Sequence, residues 1–273
     1  MRKGRGRRWP GAWVWIVFLL LPPVAWSAAE EGRGAGAGFY FVQITDTHWG
    51  VKGALGLTRK AVAAINKLPV DVEFVVHTGD IFADTIRDEG IVREGLLAMR
   101  SLKAPVYYVP GNHDLLEGAV EETQRLYRKH FGALTRRVEV HGVLCLFMNS
   151  EVAGDDERAA GQVQREWIAQ ELRKDDRRPV LLFVHRPPVA DRLAARTRAE
   201  WGEEFHPRWA RLFESRPQIK AMVSGHLHRD ELHWIGPVPV YVASSLVWFW
   251  DRQPSIRLYK YENGRLGYWT IYL

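Results

Sequence analysis

Residues 225–228 read Gly-His-Leu-His, and this stretch decides the fold because it completes an ordered series of polar blocks along the chain. Four blocks precede it in order: Asp46-Thr47-His48, Gly79-Asp80, Gly111-Asn112-His113-Asp114 and the single His185. Each block follows an apolar run of the kind that forms a buried strand. In open α/β sheets, ligands bind at the carboxyl ends of strands. We therefore expect these distant segments to converge on one edge of a sheet.

Apolar runs alternate with amphipathic segments between the blocks. Strands are predicted at 39–45, 73–77, 106–109, 179–184 and 219–224, with helices at 57–68, 91–102, 120–131, 162–172 and 208–214. The early β-α-β-α-β order indicates a parallel sheet with crossover helices. A hairpin is predicted around His141-Gly142, and the chain after residue 230 is rich in predicted strands. These patterns predict an α/β fold.

The N-terminal residues have the composition of an export signal. The first eight residues include five basic ones, and no acidic residue occurs before Glu30. The apolar run Ala12–Leu21 is broken by Pro22-Pro23 and followed by small residues near Ala29, as in a cleavable signal peptide. An uncleaved segment that anchors the chain in a membrane is the alternative, because a span of about 20 uncharged residues can cross a bilayer.

These features divide the chain into three parts. A signal peptide is expected at 1–29, a flexible glycine-rich linker at 30–38 and one globular domain at 39–273. The protein is accordingly expected to be exported to a periplasm or to the extracellular space. A membrane is expected as a partner only if the N-terminal segment stays attached.

Charge and cysteine content exclude some classes of protein. Removing the five basic residues of the leader from the formal charge of +6 leaves a body of about +1. No nucleic-acid partner is expected, because such a body lacks a basic surface. Cys145 is the single cysteine, so no intrachain disulfide forms, and its apolar surroundings predict a buried thiol. The sequence carries no signal for the oligomeric state.

The blocks supply carboxylates, imidazoles and one amide, a set sufficient for two adjacent divalent ions. Asp46 and His48 are two residues apart, and residues so spaced on a strand face the same side. Asp80 is suited to bridge two ions because one carboxylate has two oxygens. His226 and His228 repeat the two-residue spacing and can bind adjacent ions. Each block alone also fits an ordinary polar turn, and a lone histidine such as His185 is more often structural.

The block at residues 111–114 adds groups for acid–base chemistry. Gly111 is expected to permit a sharp backbone turn, and Asn112 offers a neutral oxygen ligand. His113 can donate a proton to a leaving group, and Asp114 can orient it through the other ring nitrogen. The joint occurrence of five ordered blocks favours a catalytic site over five unrelated turns.

The five blocks together resemble the calcineurin-like metallophosphoesterases, and the resemblance spans residues 46–228. It implies a four-layer αββα sandwich of two mixed sheets flanked by helices, with the strand-rich tail completing the second sheet. It implies one metal ion on Asp46, His48, Asp80 and His228, and a second on Asp80, Asn112, His185 and His226. His113 would assist the leaving group, and Asp114 would orient His113. Ala83 and Asp114 depart from the purple acid phosphatase branch, which typically carries tyrosine and glutamate at those positions.

The function implied is that of an exported phosphohydrolase of small phosphate mono- or diesters. A hydroxide bridging the two ions would attack phosphorus, and nitrogen and oxygen ligands favour Mn, Fe or Zn. The alternatives are a cyclic-nucleotide-type phosphodiesterase and a non-catalytic metal-binding scaffold of the same fold. Retention of every ligand and of His113 favours an enzyme.

Substrate specificity is poorly encoded. The polar segment Arg186–His206 is expected to form either a lid beside the site or a short solvated helix. Trp49, Phe82 and the run Trp248-Phe249-Trp250 are candidates to stack on a substrate, although aromatic residues more often fill a core.

Overall fold

A computed structural model describes residues 38–151, 157–174, 177–189, 207–247, 249 and 252–273. The predicted signal peptide and all but the last residue of the predicted linker lie outside these ranges, as does most of the expected lid or helix. All three therefore remain predictions. Within the described ranges, no helix combines the length and apolar character needed to cross a membrane.

The first sheet has five strands: β1 (Phe39–Ile44), β2 (Val72–His77), β3 (Val106–Tyr108), β10 (Ser255–Glu262) and β11 (Arg265–Tyr272). Their order across the sheet is β11-β10-β1-β2-β3. Strands β1, β2 and β3 are parallel, and β10 and β11 add to them antiparallel. The parallel strands carry continuous apolar runs because both faces of the sheet are covered.

The second sheet has six strands: β4 (Arg136–Val140), β5 (Val143–Phe147), β6 (Val180–Phe183), β7 (Ile219–Ser224), β8 (Glu231–Ile235) and β9 (Val238–Val242). Their order across the sheet is β4-β5-β6-β7-β9-β8. The edge strands β4 and β8 pair antiparallel with their neighbours, whereas β5, β6, β7 and β9 are parallel. The predicted hairpin at His141-Gly142 joins β4 to β5, and both turn residues have positive φ.

The helices of the described chain lie close to their predicted positions. They are α1 (Ala54–Ile65), α2 (Glu89–Met99), α3 (Val120–Phe131), α4 (Glu157–Lys174) and α5 (Pro207–Glu214). The start of α2 is fixed by Asp88, whose carboxylate accepts hydrogen bonds from the backbone N–H groups of Gly90 and Ile91. The apolar spacing identified each helix, but the ends of α1, α2, α4 and α5 differ from the predicted ones.

The layers follow from three apolar clusters. One lies between the sheets, where Phe41 stacks on Phe74 and Phe147 stacks on Phe183. A second joins the first sheet to α1, α2 and α3, and a third joins the second sheet to α4 and α5. The fold is therefore a four-layer αββα sandwich of two mixed sheets, as predicted. Cys145 is buried in the middle cluster, which also confirms the prediction for its thiol.

One prediction about the fold is wrong in part. The tail was expected to complete the second sheet, but only β8 and β9 do so. Strands β10 and β11 return to the first sheet, where β10 pairs with β1 from Phe39 to Gln43. The alternation of apolar residues identifies a strand, but it does not encode which sheet edge will accept it.

Candidate metal centre

The predicted blocks meet at the carboxyl ends of β1, β2, β3, β6 and β7. Two overlapping groups of potential metal ligands result, each with donor atoms within 4.8 Å of one another. The first group, called donor group 1 below, consists of Asp46, His48, Asp80 and His228. The second, donor group 2, contains Asp80, His185 and His226. Asn112 adjoins donor group 2, since its Oδ1 lies 3.2 Å from His185 Nε2.

Asp80 is common to both groups. Its Oδ2 lies 3.2 Å from Nε2 of His185 and 3.9 Å from Nε2 of His48. Its Oδ1 accepts a 2.9 Å hydrogen bond from the backbone N–H of His113. The carboxylate is therefore fixed by one oxygen and directs the other between the two groups, which is the position of a bridging ligand.

Donor group 1 is dense and buried. Nε2 of His48 and Nε2 of His228 lie 3.3 Å apart, and Nε2 of His228 lies 3.0 Å from Oδ1 of Asp46. The other oxygen of Asp46 accepts hydrogen bonds from the Thr45 hydroxyl and the His226 backbone. Burial alone would raise the pKa of Asp46, but the charges of His228, His185 and His48 outweigh it and lower the pKa.

Donor group 2 is oriented by the backbone. Nδ1 of His185 donates to the carbonyl oxygen of Thr78 at 2.8 Å, so Nε2 faces Asp80 and Asn112. A hydrogen bond on one imidazole nitrogen commonly orients the other toward a metal. Burial disfavours a charged His185, but the charge and hydrogen bond of Asp80 raise its pKa to about 10. In turn, burial would raise the pKa of Asp80, but the charge and hydrogen bond of His185 outweigh it and lower that pKa to about 2.

The donor set shows whether cations fit. The carboxylates of Asp46 and Asp80 are buried among the imidazole nitrogens of the two donor groups, where an uncompensated negative charge is costly. The cluster thus favours positive charge at its centre, and its nitrogen and oxygen donors suit first-row transition metals. The residues fit two divalent ions.

The backbone at the site is unusual. Asp46, His48, Asp80, Asp84, His226 and His228 all have positive φ, a region rarely adopted by residues with side chains. Such strain concentrates at functional sites. The two-residue spacing of Asp46 with His48 and of His226 with His228 was predicted to place each pair on one side of a strand. Instead, each pair lies just after a strand, β1 or β7, and has a left-handed backbone conformation.

Two glycines serve the site in different ways. Gly79, which precedes Asp80, has a φ of 96°, a conformation that glycine adopts without steric strain. Gly111 was expected to provide a sharp turn, but it lacks positive φ and is required by close packing. A Cβ at Gly111 would lie 2.2 Å from Oδ1 of Asp80, too close for any side chain.

Asp114 does not orient His113, and this part of the prediction is wrong. Its carboxylate is fully buried and accepts hydrogen bonds from the backbone N–H groups of Phe82 and Gly111. Burial, followed by the charge of Asp80, raises the pKa of Asp114 to about 8. Asp114 therefore ties the loops after β2 and β3 together. Adjacency in sequence indicated an orienting role, but the turn directs the carboxylate inward.

The partner of His113 is Asp84, a residue the sequence did not single out. Nδ1 of His113 lies 2.8 Å from Oδ1 of Asp84, and the two side chains are 40% and 61% exposed. The His113 ring meets the His48 ring edge-on at 5.1 Å between centroids. The only available signal for Asp84 is its position four residues after Asp80.

Other predicted neighbours have clear locations. Trp49 and Phe82 are buried against each other and form core, not a stacking platform. Phe249 does reach the site, with ring centroids 4.2 Å from His228 and 5.2 Å from His48. Trp248 and Trp250 lie outside the described residues.

Comparison with known proteins agrees with this geometry. The family model for calcineurin-like phosphoesterases matches residues 39–230. A probable glycerophosphodiester phosphodiesterase, GpdQ, of Arcobacter nitrofigilis is 28% identical over 218 residues, covering 75% of this chain and 77% of the relative. The serine/threonine-protein phosphatase CPPED1 of Danio rerio is 30% identical over 233 residues, covering 74% of each. The crystal structure of a dimetal phosphatase from Danio rerio has the same fold, with a TM-score of 0.57, 14% identity, and coverage of 86% and 98%.

The chain belongs to the calcineurin-like phosphoesterase family. It is a metallophosphoesterase, because its relatives are phosphodiesterases and phosphatases and it carries candidate ligands for two ions.

Proposed function

We propose that the protein is an exported hydrolase of small phosphate mono- or diesters that uses two divalent ions, with Mn, Fe or Zn favoured by the donor set. The observation that carries the proposal is the position of Asp80 Oδ2, which lies between the imidazoles of His48 in donor group 1 and His185 in donor group 2. One ion would use Asp46, His48, Asp80 and His228, and the other would use Asp80, Asn112, His185 and His226. The predicted leader supports export.

The ions would supply Lewis acidity, which activates water and screens charge on the phosphoryl group. The chain prepares their ligands: the Thr78 carbonyl orients His185, and the His226 backbone orients Asp46. Because these contacts exist before substrate arrives, little reorganisation accompanies the reaction.

His113 is placed to act on the leaving group. Its side chain is 40% exposed beside donor group 1, so a substrate can reach it. Asp84 binds Nδ1, which leaves Nε2 to donate a proton to the departing oxygen. The contact with Asp84 thereby holds the His113 ring in this orientation.

A metal-supplemented substrate screen tests the proposal. The full chain would be loaded with manganese and assayed with p-nitrophenyl phosphate, bis(p-nitrophenyl) phosphate and a cyclic nucleotide. We expect hydrolysis of the first or second ester and loss of turnover after chelation. Hydrolysis confined to the cyclic nucleotide would replace the proposed substrate class. Metal binding without turnover of any ester would indicate a scaffold.

A further inference from the structure

Arg186 lies at the mouth of the site beside donor group 2. Its Nη1 is 3.0 Å from Nε2 of His226, and its Nε donates to Oε2 of Glu151 at 3.0 Å. The side chain is 35% exposed, so the guanidinium touches the candidate metal centre and also reaches solvent. A guanidinium has five N–H donors, more than these two contacts use.

The guanidinium is held from behind by a short network. Glu151 is only 11% exposed, and its Oε1 accepts a 2.7 Å hydrogen bond from the Ser150 hydroxyl. The same Ser150 oxygen accepts the backbone N–H of Arg186 at 3.1 Å. Both the backbone and the side chain of Arg186 are therefore fixed by residues that follow β5. A fixed planar guanidinium loses less entropy on binding an oxyanion than a mobile one.

Arg186 and His113 flank the buried ligands from different groups. His113 adjoins His48 of donor group 1, whereas Arg186 adjoins His226 of donor group 2. A phosphoryl group over the shared Asp80 would thus have an acid beside one group and a fixed cation beside the other. Arginine suits this position because its N–H groups match pairs of phosphoryl oxygens.

We propose that Arg186 binds non-bridging oxygens of the substrate phosphoryl group and that Glu151 is the positioning residue for its guanidinium. This inference rests on the proposed function, because it places a phosphoryl group at the metal centre. Arg186 would accordingly determine affinity for phosphate and its esters, whereas the metal ligands would determine whether ions are bound.

The test is calorimetric titration of inorganic phosphate into the manganese-loaded full chain. We expect Arg186→Gln to weaken phosphate binding by about 10- to 100-fold, the usual effect of losing a charged hydrogen bond. Arg186→Lys should recover part of the loss, and Glu151→Gln should show a smaller loss than Arg186→Gln. KM for p-nitrophenyl phosphate should rise more than kcat falls.

Arg178→Gln is the matched control. Arg178 precedes the other end of β6, is 27% exposed and is also paired with a glutamate, Glu139. This variant should bind phosphate like the wild type. Metal content, measured by mass spectrometry, should stay at the wild-type level in every variant. Arg186→Lys keeps the charge, so it carries the test if Arg186→Gln does not fold.

Unchanged phosphate affinity in metal-loaded Arg186→Gln would overturn the inference, and so would loss of metal from that variant, because Arg186 would then serve the ions. Failure of metal-loaded wild-type protein to bind phosphate would also overturn it. A different result separates the two proposals. If the wild-type protein binds phosphate through Arg186 but hydrolyses no ester, the proposed function is contradicted and the inference about Arg186 still holds.

Discussion

The buried floor of the site and its exposed mouth are built differently. On the floor, Asp46, Asp80 and His185 are nearly inaccessible to solvent and are fixed by backbone groups of other loops. At the mouth, His113 and Arg186 are partly exposed and are each paired with a carboxylate. The difference supports the two proposals: the buried residues would hold the ions, and the exposed residues would act on the substrate.

The largest effect on metal content and turnover is expected for a substitution in the buried floor of the site, at Asp80. Asp80→Asn should remove metal from both donor groups, because the same oxygen, Oδ2, lies between them. Turnover should fall by about a thousandfold or more, as is usual for a residue on which the whole machinery depends. Metal content by mass spectrometry and turnover of p-nitrophenyl phosphate provide the measurements. Full metal content in this variant would show that Asp80 does not bridge.

Substitution of His113, at the exposed mouth of the site, should lower turnover without affecting metal binding. His113→Ala should retain its metal and lose about 100- to 10,000-fold in kcat, the usual range for a general acid. The loss should be smaller for p-nitrophenyl phosphate than for an alkyl phosphate, because p-nitrophenolate leaves without much help. Equal losses on the two esters would argue that His113 has another role.

The two neighbouring aspartates offer a comparison in stability. Asp114→Ala leaves two buried N–H groups without an acceptor and should lower the free energy of unfolding by about 2–4 kcal/mol. Asp84→Ala removes an exposed side chain and should change that free energy by less than about 0.5 kcal/mol. Urea unfolding of the chelated proteins measures both. Equal stabilities would contradict the structural role of Asp114.

The smallest effect is expected for the orientation of His113. Asp84→Asn should retain metal and reduce kcat about tenfold, in line with the loss of a group that orients a functional histidine. The full chain with p-nitrophenyl phosphate is the assay, and His113→Ala is its reference. The double variant Asp84→Asn/His113→Ala should have the same kcat as His113→Ala alone, since Asp84 acts through His113. Additive losses would assign Asp84 a separate role.

The floor could be predicted from the sequence because its residues follow apolar runs. A run such as Ala221–Val223 identifies a buried strand, and parallel strands end at a common edge, so His226 and Asp80 were expected to meet. The helices were predictable for the same local reason, since α3 shows the spacing of a half-buried helix.

The mouth could not be predicted in the same way. Asp84 and Glu151 carry no local pattern, and their pairing with His113 and Arg186 depends on how separate loops pack. The inward direction of Asp114 and the return of β10 to the first sheet also depend on contacts between distant segments. Local periodicity contains no information on such contacts.

Anomalous diffraction from crystals of the manganese-loaded protein tests the central claim most directly. We expect two peaks per chain, one among Asp46, His48, Asp80 and His228 and one among Asp80, Asn112, His185 and His226. A single peak, or peaks remote from Asp80, would contradict the account of a shared bridging carboxylate.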